Sequence, residues 1–449
     1  MTTTGRQVDV PRASTETRPS SPTGPARWSA LRTTGLLLAP QLAAAIASVI
    51  INVLAARTLG PAGRGHIALL LQLGYLANML SIAGIDRAYP VLIPPGRGPY
   101  LAVRDTTRLV APIGAIILAV SVPVVAVIGA DTASGPWLTA AAFVIAAVAL
   151  MSGGAVRTAA AASDLAGPYL VGALAGQSLL VAAAGMLSVL RVDSPGLWLL
   201  AYGATLGVSP LAAWALLRRR HRTERVGGAE HLRKARSLGL RLLPAGLASM
   251  IMLRADRLLL PWLGSYEQLG LYIVVATVAE LAVWPVQSWV DVQASRWHRQ
   301  HLAGTLRRAR PIVVVAGYGL GAGILLVAAG RVLVPLIFGD GYRDSILLLI
   351  PLAIGTLAYS ISRVAVGLSV ATGRARTALI ADIPAMLAAL AAYAVLIPER
   401  GAYGAAVGSA IAYGIGAALA IVALLTATPS DDRAGRKIVP PARRSATPR

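Results

Sequence analysis

The chain has 449 residues, 56% of them hydrophobic and 13% charged, with a mean hydropathy of +0.67. Soluble domains carry about 25% charged residues, so the composition excludes a soluble globular protein and specifies an integral membrane one. The net charge of +22 lies in the termini and in alternate loops, a distribution that marks membrane orientation and excludes nucleic acid as partner. The absence of cysteine excludes disulfides and thiolate metal sites.

Residues 1–33 are rich in Ser, Thr, Pro and Arg, contain no apolar run, and read as a disordered basic cytoplasmic tail. A secretory signal would need an apolar core close behind its charges, and the first apolar run begins only near Thr34. About twelve segments then reach spanning length, at roughly twenty residues per crossing. They fall near 34–55, 66–86, 109–130, 136–157, 167–190 and 196–217, forming one lobe over 34–217. A basic cytoplasmic linker, 218–238, precedes segments near 239–262, 268–290, 311–336, 345–370, 376–397 and 401–425, a second lobe over 239–425. Residues 426–449 form a second basic tail.

Loop charge sets the orientation. The even-numbered loops carry Arg87, Arg97, Arg104 and Arg108, then Arg157, then the runs Arg218 to Arg241 and Arg296 to Arg310, then Arg374 and Arg376. The odd-numbered loops are short and hold few basic residues, among them Arg57 and Arg64. This asymmetry places both termini in the cytoplasm of a multi-pass protein of the cell membrane. The basic loops read as topology signals and contacts to anionic lipids on the cytoplasmic face.

The halves echo each other. Leu59-Gly60-Pro61-Ala62-Gly63-Arg64-Gly65 recurs as Leu263-Gly264-Ser265-Tyr266-Glu267-Gln268-Leu269-Gly270, each between the first and second span of its half. Val127-Ile128-Gly129-Ala130-Asp131 recurs as Leu336-Ile337-Phe338-Gly339-Asp340, and Arg157 has its counterpart in Arg363. Six crossings return the chain to its starting side, so the repeats are parallel and related by an axis along the membrane normal. The expectation is an all-α integral membrane protein of about 12 transmembrane helices in two parallel six-helix lobes around a central cavity. Transporters of this build bind near the midplane and rock one lobe against the other.

Four stretches carry a family resemblance: NVLAARTLGPAGRGHIALL (52–70), RADRLLLPWLGSYEQLGLYIVVATVAEL (254–281), VPLIFGDGYRDSILLLIPLAIGTLAYSISRVAVGLSVATGRAR (334–376) and IPERGAYGAAVGSAIAY (397–413). They resemble the Wzx-like polysaccharide flippases of the multidrug/oligosaccharidyl-lipid/polysaccharide superfamily, over about residues 34–425. The resemblance implies a two-lobed flippase that moves a lipid-linked oligosaccharide from the inner to the outer leaflet.

The residues support such a task on their own chemistry. Met250–Tyr272 places Arg254, Asp256 and Arg257 within a spanning helix, where a charge costs about 2.5–3.5 kcal/mol and persists only against a partner or a watered cavity. The diphosphate of a polyprenyl-linked glycan must cross this layer, and guanidinium groups stay charged and offer paired donors to phosphate oxygens. Arg254 and Arg257, three apart, share a helix face, while Asp256 points elsewhere, toward an Arg of another helix or a role in the cavity's charge balance. Arg363 and Arg157, in the cytoplasmic third, are candidates to meet the incoming head group. Arg257, near its helix end, has the alternative of snorkelling to the interface.

Glu280 stands at about the depth of Arg254, one turn before Trp284-Pro285, and is open to two readings: an ion pair with Arg254, or a carboxylate coupling transport to protons or sodium. Gln41, Asn52, Gln72 and Asn78 in the first two spans are candidate sugar contacts or interhelical hydrogen bonds. Asn52 takes about the place of Asp256 in the repeat, so the anion-binding wall is expected mainly in the second lobe. His298 and His301 share a face in a cytoplasmic loop without a third ligand, which gives no metal site.

No G-x-x-x-x-G-K-[ST] loop is present, no odd-numbered loop is long enough for an extracytoplasmic catalytic domain, and no catalytic cluster stands out. Neither an enzyme activity nor a cofactor is expected. Besides the flippase, two readings stay open: a cation-coupled multidrug exporter of the same superfamily, and a non-transporting membrane scaffold recruiting partners through its basic tails.

Overall fold

The computed structural model describes residues 24–93, 98–163, 166–220, 230–374 and 376–426. Its elements are α1 (Gly24–Ile82), α2 (Ile85–Leu92), α3 (Pro99–Ala130), α4 (Gly135–Ala162), α5 (Ala166–Val189), α6 (Pro195–Arg220), α7 (Glu230–Leu263), α8 (Tyr266–Leu302), α9 (Ala309–Phe338), a 3-10 segment (Asp340–Leu348), α10 (Leu349–Ala371) and α11 (Arg376–Leu425). Among the described residues there is no strand, and nine helices are long and apolar enough to cross a membrane.

The count of nine reaches twelve crossings for a structural reason. Helix α1 breaks at Gly60 (φ 64°) and α11 at Gly401 (φ 53°), so each is two crossings joined at a glycine. That left-handed backbone is open to glycine and costly for other residues. Helix α7 is the remaining crossing; Arg254, Asp256 and Arg257 interrupt its apolar run. The architecture is thus two parallel six-helix lobes, α1 to α6 and α7 to α11, around a central cavity.

Several boundaries differ from the hydropathy reading. Helix α1 is already helical from Gly24, inside the stretch 1–33 expected to be an unstructured tail. Helix α7 begins at Glu230, inside the expected linker 218–238, and α8 continues to Leu302 through residues assigned to a loop. An apolar window finds only the lipid-facing part of a helix. Leu, Arg, Lys, Glu and Ala propagate helix well beyond that window. The short helix α2 was not anticipated at all.

The lobes meet most closely where the echo was strongest. A Cβ on Gly65 would lie 1.8 Å from the Tyr266 carbonyl oxygen, and a Cβ on Gly270 would lie 1.9 Å from the Pro61 carbonyl oxygen. Gly270 follows Gly65 by 205 residues, and Tyr266 follows Pro61 by 205. The two contacts are therefore one contact repeated by the symmetry of the lobes. On this odd-loop face Arg57 also donates from Nε to the Ile337 carbonyl (2.6 Å) and from Nη2 to Leu336 (2.8 Å). Tyr342 donates to the Ala56 carbonyl at 3.2 Å.

The even-loop face is closed as well. A Cβ on Gly84 would lie 2.4 Å from the Gly239 carbonyl oxygen, so α7 crosses the α1–α2 corner at backbone contact. His231 Nε2 lies 3.0 Å from Asp105 Oδ2, which also accepts from the Tyr89 hydroxyl at 3.2 Å. Arg236 donates to the Leu109 carbonyl at 3.3 Å. Both ends of the interlobe space are shut in this state.

Candidate functional site

Between the two closures, α7 and α8 bring their charges together. Arg254 and Arg257 lie three residues apart on α7, so both guanidiniums point to the same side. Opposite them on α8 stands Glu280. Arg254 Nη1 donates to both carboxylate oxygens, at 3.0 and 3.1 Å, and Arg257 Nη2 donates to Oε1. The Arg254 and Glu280 side chains are 33% and 31% exposed and Arg257 only 7%, so the first two face open space and the third is held in the wall. The ion-pair reading of Glu280 is the arrangement observed, with a second arginine added to it.

Asp256 faces the opposite side of α7 and meets no arginine side chain among its hydrogen bonds. It accepts from the Tyr272 hydroxyl at 2.5 Å and from the Arg257 amide at 2.8 Å. Tyr272 lies 3.4 Å from Ser409, and Tyr393 lies 2.8 Å from the same hydroxyl. The chain of hydroxyls ties α7 and α8 to the two halves of α11. Every member is buried, as an intramembrane polar group must be when it has no water.

Two chambers adjoin the charge cluster. One, of about 250 Å³, lies between the lobes and is lined by Arg64, Gln72, Tyr75, Gln177 and Tyr202 from the first lobe and Thr277 from the second. The other, of about 230 Å³, lies within the second lobe and is lined by Asp256, Tyr272, Gln287, Thr356, Tyr359 and Tyr413. Arg254, Arg257, Glu280 and Trp284 border both, so the cluster is the partition between them. Among the described residues lining the interlobe chamber are Arg64, Arg254 and Arg257 and a single carboxylate, Glu280, which contacts the latter two. Two buried donors there, Arg257 Nε and Gln72 Nε2, have no hydrogen-bond partner.

The structure sorts the other expected residues. Asn52 is buried and accepts from Arg64 Nε at 2.8 Å, orienting that guanidinium and not lining the chamber itself. Arg363 is bound by Asp382 across α10 and α11 and lies 5.1 Å from the Tyr359 ring, which stands between it and the second-lobe chamber. Arg157 is exposed on α4 and lines neither chamber, because its position on the helix turns it outward. The side chain of Gln41 falls outside the described residues. His298 sits in the last turns of α8, not in a loop, with Nδ1 2.8 Å from the Ala371 carbonyl oxygen.

Arg64 is the residue that hydropathy conceals. Counted in the first odd-numbered loop, it reads as a topology charge. The break at Gly60 instead starts a new crossing at once, and Arg64 enters it one turn in. The second lobe supplies two of the three arginines around the interlobe chamber, Arg254 and Arg257, and the first lobe adds Arg64. The signal was present as Asn52, a polar residue inside a span that needed a partner.

No protein-family model matches the chain, and no curated protein matches it. Solved structures do share its fold. The lipid II flippase MurJ in an inward closed conformation superposes with a TM-score of 0.69 at 12% identity, covering 88% of each chain. An inward-facing multidrug resistance MATE family transporter of the MOP superfamily gives 0.61 at 13% identity, over 88% of this chain and 96% of that one. A eukaryotic MATE transporter gives 0.53 at 14% identity, over 91% and 99%. At these identities the likeness establishes the fold alone: the chain shares the architecture of MurJ and of the two MATE transporters.

Proposed function

We propose that the chain is a flippase that carries polyprenyl-diphosphate-linked oligosaccharide or polysaccharide precursors from the inner to the outer leaflet by alternating access. The observation that carries this reading is the interlobe chamber, lined by three arginines and one glutamate, with Arg254 and Arg257 paired to Glu280 and Arg64 held by Asn52. Each buried charge is costly at membrane depth, and an excess of guanidinium over carboxylate in a chamber suits an anion that binds there transiently. A diphosphate supplies that anion in the geometry that guanidinium forks match. On this reading the even-loop face, with both termini, is cytoplasmic, and the membrane is the cell membrane.

The surroundings suit a substrate with an isoprenoid tail. A groove of about 700 Å³ runs between α1, α8 and α9, lined by Val49, Val53, Val278, Leu325, Leu333 and Phe338. Its lining is of the kind that holds an apolar chain. A cationic drug would instead be repelled by the excess of guanidinium, which disfavours the multidrug exporter that the shared fold also permits.

The decisive measurement is lipid flipping by the purified chain in liposomes. Arg254→Ala should abolish transport of diphosphate-linked glycan while the protein still accumulates in the membrane. Depletion of the protein in cells should leave lipid-linked glycan on the inner leaflet. If the purified chain flips no diphosphate lipid, the reading fails.

A further inference from the structure

We propose that Glu280 is a tethered substitute for the substrate's anion: it holds Arg254 and Arg257 in the empty transporter, and only a head group of higher negative charge displaces it. The inference rests on the flippase reading and assigns the same site its charge selectivity.

The geometry is that of a bound ligand. Arg254 contacts both oxygens of one carboxylate and Arg257 contacts one of them, which is how a guanidinium pair would grip a phosphoryl group. The grip is incomplete. Glu280 brings one negative charge to two guanidiniums, Asp256 lies on the second-lobe side bonded to the Arg257 amide and Tyr272, and Arg64, whose Nε is bound by the neutral amide of Asn52, adds a third guanidinium against these two carboxylates. Arg257 Nε and Gln72 Nε2 are donors left over. A diphosphate has more charge and more acceptor oxygens than a carboxylate, so it can satisfy groups that Glu280 cannot.

Displacement also needs somewhere for the carboxylate to go. Glu280 borders the second-lobe chamber as well as the interlobe one. In that chamber Tyr359 and Tyr413 present hydroxyl donors and Gln287 an amide with one hydrogen beyond that given to Tyr359, while the Thr356 hydroxyl is taken by the Leu352 carbonyl. A rotation about the Glu280 side chain therefore exchanges guanidinium partners for neutral donors without moving the helix.

Selectivity follows from the competition. A tethered group competes at a high effective concentration, because its translational freedom is already lost. A monoanion replacing Glu280 gains no charge and must overcome that advantage. A diphosphate gains at least one further charge interaction with the arginines. The carboxylate thus acts as a threshold that free carboxylates and other monoanions of the cell fail to pass.

The test is calorimetric titration of the detergent-purified chain with farnesyl diphosphate and with farnesoate, an isoprenoid carboxylate of single charge. The wild-type protein should bind the diphosphate and scarcely the monocarboxylate. Glu280→Gln should tighten diphosphate binding about tenfold and raise farnesoate binding more, so the ratio between them shrinks. Glu280→Asp, which keeps the charge but is too short to bridge both arginines, should shift both in the same direction by less. Arg254→Gln should lose both ligands. On the unmodified protein, farnesyl diphosphate should accelerate carbodiimide labelling of Glu280 relative to the other carboxylates, since displacement frees it from both guanidiniums. Equal affinities in wild type and Glu280→Gln, with binding still lost in Arg254→Gln, would overturn the proposal and leave the flippase reading intact. Slower Glu280 labelling on addition of diphosphate would likewise overturn it. No diphosphate binding by the wild-type protein would remove the flippase reading itself.

Discussion

A buried arginine in a membrane helix reports a charge but not its employer, and Arg254 and Arg363 show the difference. Both stand inside crossings, and each has a carboxylate partner, Glu280 for the first and Asp382 for the second. Arg254 borders two chambers, whereas Arg363 is screened by Tyr359 and borders neither. Removing one partner of a buried pair strands the other, at a cost of about 3–5 kcal/mol, while replacing both by apolar groups is often neutral. Asp382→Ala should therefore lower the melting temperature in detergent markedly, and Arg363→Met with Asp382→Leu should restore most of it. If Arg363 only braces α10 against α11, that double variant also keeps its transport activity. A loss of transport in a well-folded double variant would return Arg363 to the substrate path. At Arg64 the expectation is the opposite: Arg64→Gln should weaken farnesyl diphosphate binding about tenfold, one charge-assisted contact's worth, with the melting temperature little changed. The residues that carry charge at depth were legible in the sequence because composition makes them conspicuous. Of their partners, Glu280 was within reach of the sequence because its depth matches that of Arg254, whereas Arg257 on the same carboxylate and Asp382 on Arg363 were not, since nothing in helical periodicity links two helices.

At the scale of elements, the echo between the halves was the most informative part of the sequence. It foresaw that residues 59–65 and 263–270 are equivalent, and the structure packs these two segments against each other. What it could not give was their proximity, because a repeat states likeness and not contact. Gly65 and Gly270 lack side chains where two backbones cross, and an added methyl would fall inside van der Waals radius of a carbonyl oxygen. Gly65→Val must then push α1 from α8 and loosen the odd-loop closure. The natural chain has no cysteine, which makes the consequence measurable. A single Gln72→Cys in the interlobe chamber should react faster with a membrane-impermeant maleimide when Gly65→Val is present. Unchanged labelling would mean that the closure does not depend on this crossing. Helix ends were the least legible features, for the reason seen at α7 and α8: apolar length measures the lipid, and the helices outrun it.

At the scale of the whole molecule, the two closures are unlike in chemistry, and this gives alternating access a concrete form. The odd-loop face is shut by a symmetric pair of glycine contacts, by Arg57 on the carbonyls of residues 336 and 337, and by Tyr342 on Ala56. The even-loop face is shut by one glycine crossing and by polar side chains, His231 with Asp105 and Tyr89. A transporter that passes its substrate from one face to the other must break each set in turn, and never both together. Fixing either set should therefore stop transport, whichever face opens first. Cysteines at Asp105 and His231, joined by a short cleavable bifunctional thiol reagent, hold the even-loop face. Cysteines at Ala56 and Tyr342 hold the odd-loop face. Each crosslinked protein should fail to flip lipid and recover when the link is cleaved, whereas the single-cysteine variants treated alike should remain active. Transport that continues with one face covalently shut would show that substrate does not pass between the lobes there. The three-arginine chamber would then be a structural feature of the lobe interface. Recovery after cleavage at both faces would instead place that chamber on the only path between them.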